Sequence, residues 1–164
     1  MDRRIKKRCS KMGCDFAIKG DNMKKTKELI EKLSWDEPEC IQKETIETLK
    51  HEKDLGIFMQ PISSTTGKQV WENCALILCS KSDEELIPYI DGMFEWLQDM
   101  NWPGAWNILE RIQKIPKEKI KTKYELYIKK ANEELEQLGE EVYMNSWLSN
   151  LEMINTHFKK EWFF

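Results

Sequence analysis

The sequence predicts an all-α protein of about seven short helices stacked as antiparallel pairs. Three observations carry that expectation. From Asp21 onward the apolar residues recur at intervals of three and four, the helical period. Nowhere do they alternate for long, as a strand with one face in water requires. The amphipathic stretches are also joined by tight turns, several of them carrying proline.

Composition agrees with a folded chain. Of the 164 residues 40% are apolar and 34% charged, with seven Trp and six Phe, the make-up of a core under a charged surface. A single domain of this length buries roughly two thirds of the surface its unfolded chain exposes.

The first stripe is Met23, Thr26, Leu29, Ile30 and Leu33. Ser34 to Glu39 then breaks and restarts the chain. Asp36 is expected as N-cap, Glu39 as its capping-box partner, and Pro38 lies in the first turn, where its missing N–H costs nothing. The second helix carries Ile41, Thr45, Ile46 and Leu49 and ends by Gly56. Residues 56–67, with Pro61, Gly67, two Ser and two Thr, read as the longest loop. Val70, Trp71, Cys74, Ala75 and Leu78 mark the buried side of a third helix. Ser82 with Glu85 is a capping box that opens the strongest stripe: Leu86, Ile87, Ile90, Met93, Phe94 and Leu97. Pro88 lies inside it, so that helix either kinks or begins there.

Asn101-Trp102-Pro103-Gly104 is the next break, with Pro103 placed at the first position of a helix bearing Ala105, Ile108, Leu109, Ile112 and Ile115. Pro116 ends it. A long sixth helix follows through Ile120, Tyr124, Tyr127, Ile128, Ala131, Leu135 and Leu138, with Gly139 as its stop. Trp147, Leu148, Leu151, Ile154 and Phe158 make the seventh. Pairing 23–33 with 38–51, 68–80 with 83–99 and 103–115 with 117–138 gives units a few tens of residues long. That spacing is near the HEAT and armadillo period, so the expected architecture is a HEAT-like α-α superhelix. Its apolar end, Phe158, Trp162, Phe163 and Phe164, is expected to cap the stack, with contact to a partner as the alternative.

Residues 1–22 are expected as a basic tail outside a single domain spanning 23–164. Residues 1–12 hold six basic and one acidic side chain, which leaves a net −8 on the remainder of a chain whose total is −3. An acidic body argues against phosphate-led nucleic-acid binding and favours a basic partner, while the basic tail alone is read as a solvated tail with a nucleic-acid or membrane-surface arm as the alternative. Gly20 to Met23 can be encoded with a purine-rich ribosome-binding sequence before the Met23 codon, so translation is expected to start at Met23. No stretch nears the roughly 20 apolar residues of a membrane span, and no apolar segment follows the basic start as in a signal peptide. With five cysteines, an odd count, the expectation is reduced, mostly buried thiols in the cytoplasm.

No catalytic, cofactor-binding or metal-binding residues are expected. Phosphate-loop, Rossmann and G-x-S-x-G patterns are missing, and the spacings of Cys9 with Cys14 and of Cys74 with Cys79 are too long for a zinc knuckle. His51 and His157 lack a neighbouring partner for acid–base work. The alternative is a metal-dependent enzyme or hydrolase centred on Glu95, Asp99 and Asn101. Two carboxylates four apart on a helix share a face, although two carboxylates and an amide fall short of the six oxygens calcium takes. The packing alternative has Asp99 or Asn101 capping the next helix and Glu95 meeting a Lys or a Trp N–H. Trp96, Trp102 and Trp106 are expected to wedge in the core with their N–H groups satisfied, with interface anchors as the alternative.

The stretch WENCALIL from Trp71, with Asn73, and then EWLQDMNWPGAWNILERI to Ile112, resembles a bacterial family, the domain of unknown function 5071. The centre of that likeness is Glu95, Trp96, Gln98, Asp99, Asn101, Trp102, Pro103 and Gly104. The resemblance runs from about Met23 to Phe158 and implies a HEAT-like helical fold without an assigned activity. By analogy with small helical proteins encoded beside toxins, it extends to an immunity role. The expected function is therefore a non-enzymatic protein-binding domain.

Overall fold

A computed structural model describes residues 26–63, 66–138 and 146–158, and every regular element among them is helical. In chain order these are α1 (26–31), α2 (Glu39–Leu49), a 3-10 turn (Leu55–Phe58), α3 (Gln60–Ser63) and a second 3-10 turn (Lys68–Val70). Then come α4 (Trp71–Cys79), α5 (Asp83–Leu86), a third 3-10 turn (Ile87–Tyr89), α6 (Ile90–Trp96), α7 (Ala105–Gln113), α8 (Lys117–Leu138) and α9 (Trp147–Phe158). The expected tail at 1–22, the stop at Gly139 and the apolar end beyond Phe158 lie outside the described residues. No helix among those described is long and apolar enough to cross a membrane.

Local chemistry places several boundaries where the sequence puts them. The Ser82 hydroxyl accepts from the Glu85 N–H at 3.3 Å, and the Glu85 carboxylate accepts from the Ser82 N–H at 3.0 Å, the reciprocal capping box. That backbone N–H, with the Ser82 hydroxyl, holds the Glu85 carboxyl below its ordinary value. Pro88 kinks the helix rather than starting it: α5 passes through a 3-10 turn into α6, because the ring cannot donate to the preceding turn.

Three boundaries differ. Asp36 does not cap α2; the residue before its first turn is Pro38, without a side-chain cap, and Pro38 lends its carbonyl to the Ile41 and Gln42 N–H groups. Ser34 and Asp36 satisfy each other instead, at 3.1 and 3.3 Å. The expected loop at 56–67 contains the short α3, whose Gln60 is fully buried, donates to the Ile57 carbonyl at 2.6 Å and accepts from Thr66. Pro103 stands outside α7, which begins at Ala105 behind a left-handed Gly104 with φ of 82°.

The helices pack in two rows. α2 rests on α4, α4 on α7 and α7 on α9; behind them α3 rests on α6 and α6 on α8, with α9 joining the rows by also packing on α8. One core runs between them, from Ile30 and Leu33 through Leu78, Phe94 and Ile112 to Leu151 and Ile154. Each such side chain fully buried contributes about 1.5 to 3 kcal/mol against leaving it in water.

Polar ties fix the rows against each other. Lys81, only 7% exposed, donates to the Lys50 and Glu52 carbonyls at 2.7 Å each, closing the end of α2 against the α4–α5 turn. Arg111 on α7 reaches that same turn, donating to the Lys81 carbonyl at 2.9 Å and to Asp83 at 2.7 Å. Along α8, Lys119, Lys123 and Lys130 pair with Glu84, Asp91 and Glu95 at 2.9, 2.7 and 3.4 Å. That ladder runs along the side of α8 that faces α5 and α6.

Candidate functional site

The α6–α7 turn gathers most of the residues that the sequence marks. Trp96, the last residue of α6, is completely buried, and its indole N–H donates to the Pro103 carbonyl at 3.1 Å. Beyond the helix end, the Asp99 carboxylate accepts from the Asn101 backbone and side-chain N–H groups at 2.8 and 3.0 Å, and the Asp99 carbonyl accepts from the Trp102 N–H at 3.0 Å. Asp99 thus holds the turn and does not cap α7. Gly104 follows in the left-handed region, where a Cβ would also collide with the Ala75 Cβ and stand 3.2 Å from the Trp71 carbonyl. Glycine lets this turn press directly onto α4.

On α4, Trp71 meets Trp102 and Trp96 edge to face at 5.6 and 6.3 Å between ring centroids. Asn73 is buried and donates to the Leu33 carbonyl and the Gln42 side chain, both at 2.7 Å, which ties α4 to the turn after α1 and to α2. Gln98 has an exposed side chain; its carbonyl and that of Leu97 face Asn150 of α9, at 3.5 and 2.9 Å. The marked residues are therefore occupied in holding α4, α6, α7 and α9 together.

Residues 72–138 match the domain of unknown function family DUF5071. The family identified from the Trp71 to Ile112 stretch is thereby the one found, over a narrower range than Met23 to Phe158. The DUF5071 segment takes in nearly all of α4 and continues to the end of α8; α1, α2 and α9 lie outside it. No curated protein and no solved structure matches the chain. Inside the DUF5071 segment the turn Trp96 to Gly104 has a clear physical purpose, because it seats α7 on α4.

The carboxylate alternative loses its geometric premise. α6 ends at Trp96, so Glu95 and Asp99 do not share a helical face. Glu95 accepts from the Tyr127 hydroxyl at 3.3 Å and from Lys130 at 3.4 Å, as the packing alternative had it for a neighbouring Lys, while Asp99 turns to Asn101. Among the described residues no three His, Cys, Asp or Glu side chains converge as metal ligands.

Thiol chemistry is similarly quiet. Burial pushes the Cys74 thiol upward, and burial pushes Cys79 up to about 11, while its S–H donates to the Asn107 carbonyl at 3.3 Å. Cys40 is exposed on α2. Cys79 and Asn107 form the floor of an open groove of about 490 Å³ between α4 and α7, with Asp83, Glu110, Arg111 and Lys114 around it. His51 is exposed, and the side chain of His157 lies outside the described residues.

Trp106 departs from the expected core use. It is 58% exposed, whereas Trp96 is buried and Trp102 half-buried. Leu76 and Trp35, at 41% and 56%, are the other large apolar side chains left in water near α4. Trp35 donates its backbone N–H to the Gln69 carbonyl just before α4, and Asn107, next to Trp106, donates to Glu72 at 2.5 Å. Leu76 lies one turn beyond Glu72 on the same face. The signal for Trp106 was present in the helical period: with Ala105, Ile108, Leu109 and Ile112 inside, position 106 falls about 110° from the centre of that face, outside the buried arc of α7.

Proposed function

We propose that the protein is a non-enzymatic, protein-binding helical-repeat domain whose partner is basic, with neutralisation of a toxin, an immunity role, as its sharpest form. The carrying observation is the exposure of Leu76 on α4, Trp106 on α7 and Trp35 in the turn before α2, with Glu44 and Glu47 of α2, Glu72 of α4 and Glu110 of α7 also open to solvent. Large apolar side chains set among carboxylates suit a partner that buries an anchor and brings Lys or Arg to the rim. Helices stacked in rows give such a partner an extended face, as superhelical repeats do. A reduced, cytoplasmic setting fits the exposed Cys40 thiol.

Calorimetry with the purified product of a neighbouring gene tests this reading. Tight binding that weakens with salt is expected, and replacing both Trp35 and Trp106 by Ala should weaken it by about tenfold or more, which is about 1.4 kcal/mol. Unchanged affinity in that variant would remove the surface around α4 from the proposal. Failure of any neighbouring gene product to bind would remove the immunity role.

A further inference from the structure

The second row carries a different kind of site. Tyr127 on α8 and Trp147 at the start of α9 meet edge to face, with centroids 5.6 Å apart and planes at 81°. Two ring walls at right angles make a corner, and the Glu95 carboxylate, 3.3 Å from the Tyr127 hydroxyl that donates to it, closes the third side. In this corner stands the Lys130 ammonium, 5.3 Å from the Tyr127 centroid, 5.1 Å from the Trp147 centroid and 3.4 Å from Glu95 Oε1. Ring faces attract a cation through their quadrupole and a carboxylate attracts it by charge, the combination that recognises an ammonium group.

The corner does not depend on Lys130 for its shape. Trp147 is anchored by its indole N–H, which donates to the buried Phe94 carbonyl at 2.9 Å, and Tyr127 packs on the Phe94 ring with centroids 5.2 Å apart. Both walls are buried, whereas the Lys130 side chain is 54% exposed. An ammonium half in water gains little from its ion pair, so an incoming ammonium that makes the same ring and carboxylate contacts can take its place. A groove of about 300 Å³, lined by Leu126, Tyr127, Lys129, Lys130 and Glu133, opens beside it. The neighbouring Lys129 ammonium lies 3.7 Å from Glu133, which balances its charge.

We propose that Tyr127, Trp147 and Glu95 form a binding site for an alkylammonium group, filled by Lys130 in the unbound protein and taken over by an incoming ammonium that displaces Lys130 into water. This site is independent of the surface around α4. The incoming group is the side chain of a peptide lysine or a free alkylamine, which share this chemistry.

The full chain, nitrogen-labelled, is titrated with n-butylammonium chloride and, separately, with N-acetyl-lysine methylamide, following the Trp147 indole N–H resonance. Lys130→Ala removes an intramolecular competitor at high effective concentration, so it should bind about tenfold or more tightly than the parent. Adding Glu95→Gln should reverse that gain. Tighter binding of the lysine amide assigns a protein source and equal binding a free amine; both support the site. No response from a Lys130→Ala protein with an unchanged melting temperature, or a gain that survives Glu95→Gln, overturns it. Lys130→Met, which keeps a stem of similar length and drops the charge, serves if the Ala variant melts early.

Discussion

The Trp96 indole N–H donates to the Pro103 carbonyl at 3.1 Å, closing the α6–α7 turn upon itself from inside the core. Trp96→Phe keeps a ring there and abandons that carbonyl. Losing a hydrogen bond of this kind costs about 0.5 to 1.5 kcal/mol, and the smaller ring adds to it, so urea denaturation should show a loss of about 1 kcal/mol or more with an unchanged slope. A loss below about 0.5 kcal/mol, the scatter of ordinary surface changes, would mean that the bond adds nothing.

Gly104 should tolerate no side chain. Left-handed backbone costs a non-glycine residue about 1 to 2 kcal/mol, and the Ala75 methyl group blocks the new Cβ as well. Gly104→Ala should therefore destabilise by more than about 2 kcal/mol. Ala75→Gly in the same chain relieves the collision and leaves the backbone strain. Thermal melts of the two single variants and the double should show a double variant less damaged than the sum; additive losses would place the whole effect in the backbone.

Two lysines on the surface of α2 and after α4 should behave oppositely. Lys81 feeds two backbone carbonyls from a nearly buried position, and Lys81→Met should cost about 1.5 to 3 kcal/mol by leaving them without their charged donor. Lys43 pairs with Glu39 at 2.6 Å, but both side chains are largely in water. Lys43→Met should leave the midpoint of the same denaturation assay where the parent has it.

Asp83 gives the fold a defined acid dependence. The hydrogen bond from Arg111, then the charges of Arg111 and Lys119, hold its carboxyl below the ordinary 3.8. A carboxyl depressed in the folded state stabilises above its unfolded value and loses that contribution as pH falls toward the folded one. The parent should exceed Asp83→Asn in stability at neutral pH, and the gap should close progressively below about pH 4. A gap that persists to about pH 2 would assign the effect to packing rather than to charge.

Some of this was legible in residues close together in the chain. The capping box of Ser82 and Glu85, the disturbance at Pro88 and the apolar stripe from Leu86 to Leu97 depend on neighbours within a turn or two, and they appear where spacing and propensity place them. Asp36 failed as a cap because a competing local bond with Ser34 was available, and the short α3 was hidden by turn-forming residues around a buried Gln60. Trp106 could have been read as outward from the period of α7.

By itself, then, the sequence determined the helical class, most of the helix limits and which face of each helix turns from water, because these follow from backbone propensity and a periodic apolar pattern. The packing of whole helices brings the Trp147 indole to the Phe94 carbonyl and Asn150 to Leu97, and sets Tyr127, Trp147 and Glu95 around Lys130. Periodicity sets the direction of a side chain about its own helix axis but says nothing of which neighbour lies in that direction. Contacts between residues more than fifty apart, such as Phe94 with Trp147, depend on how whole helices settle against one another.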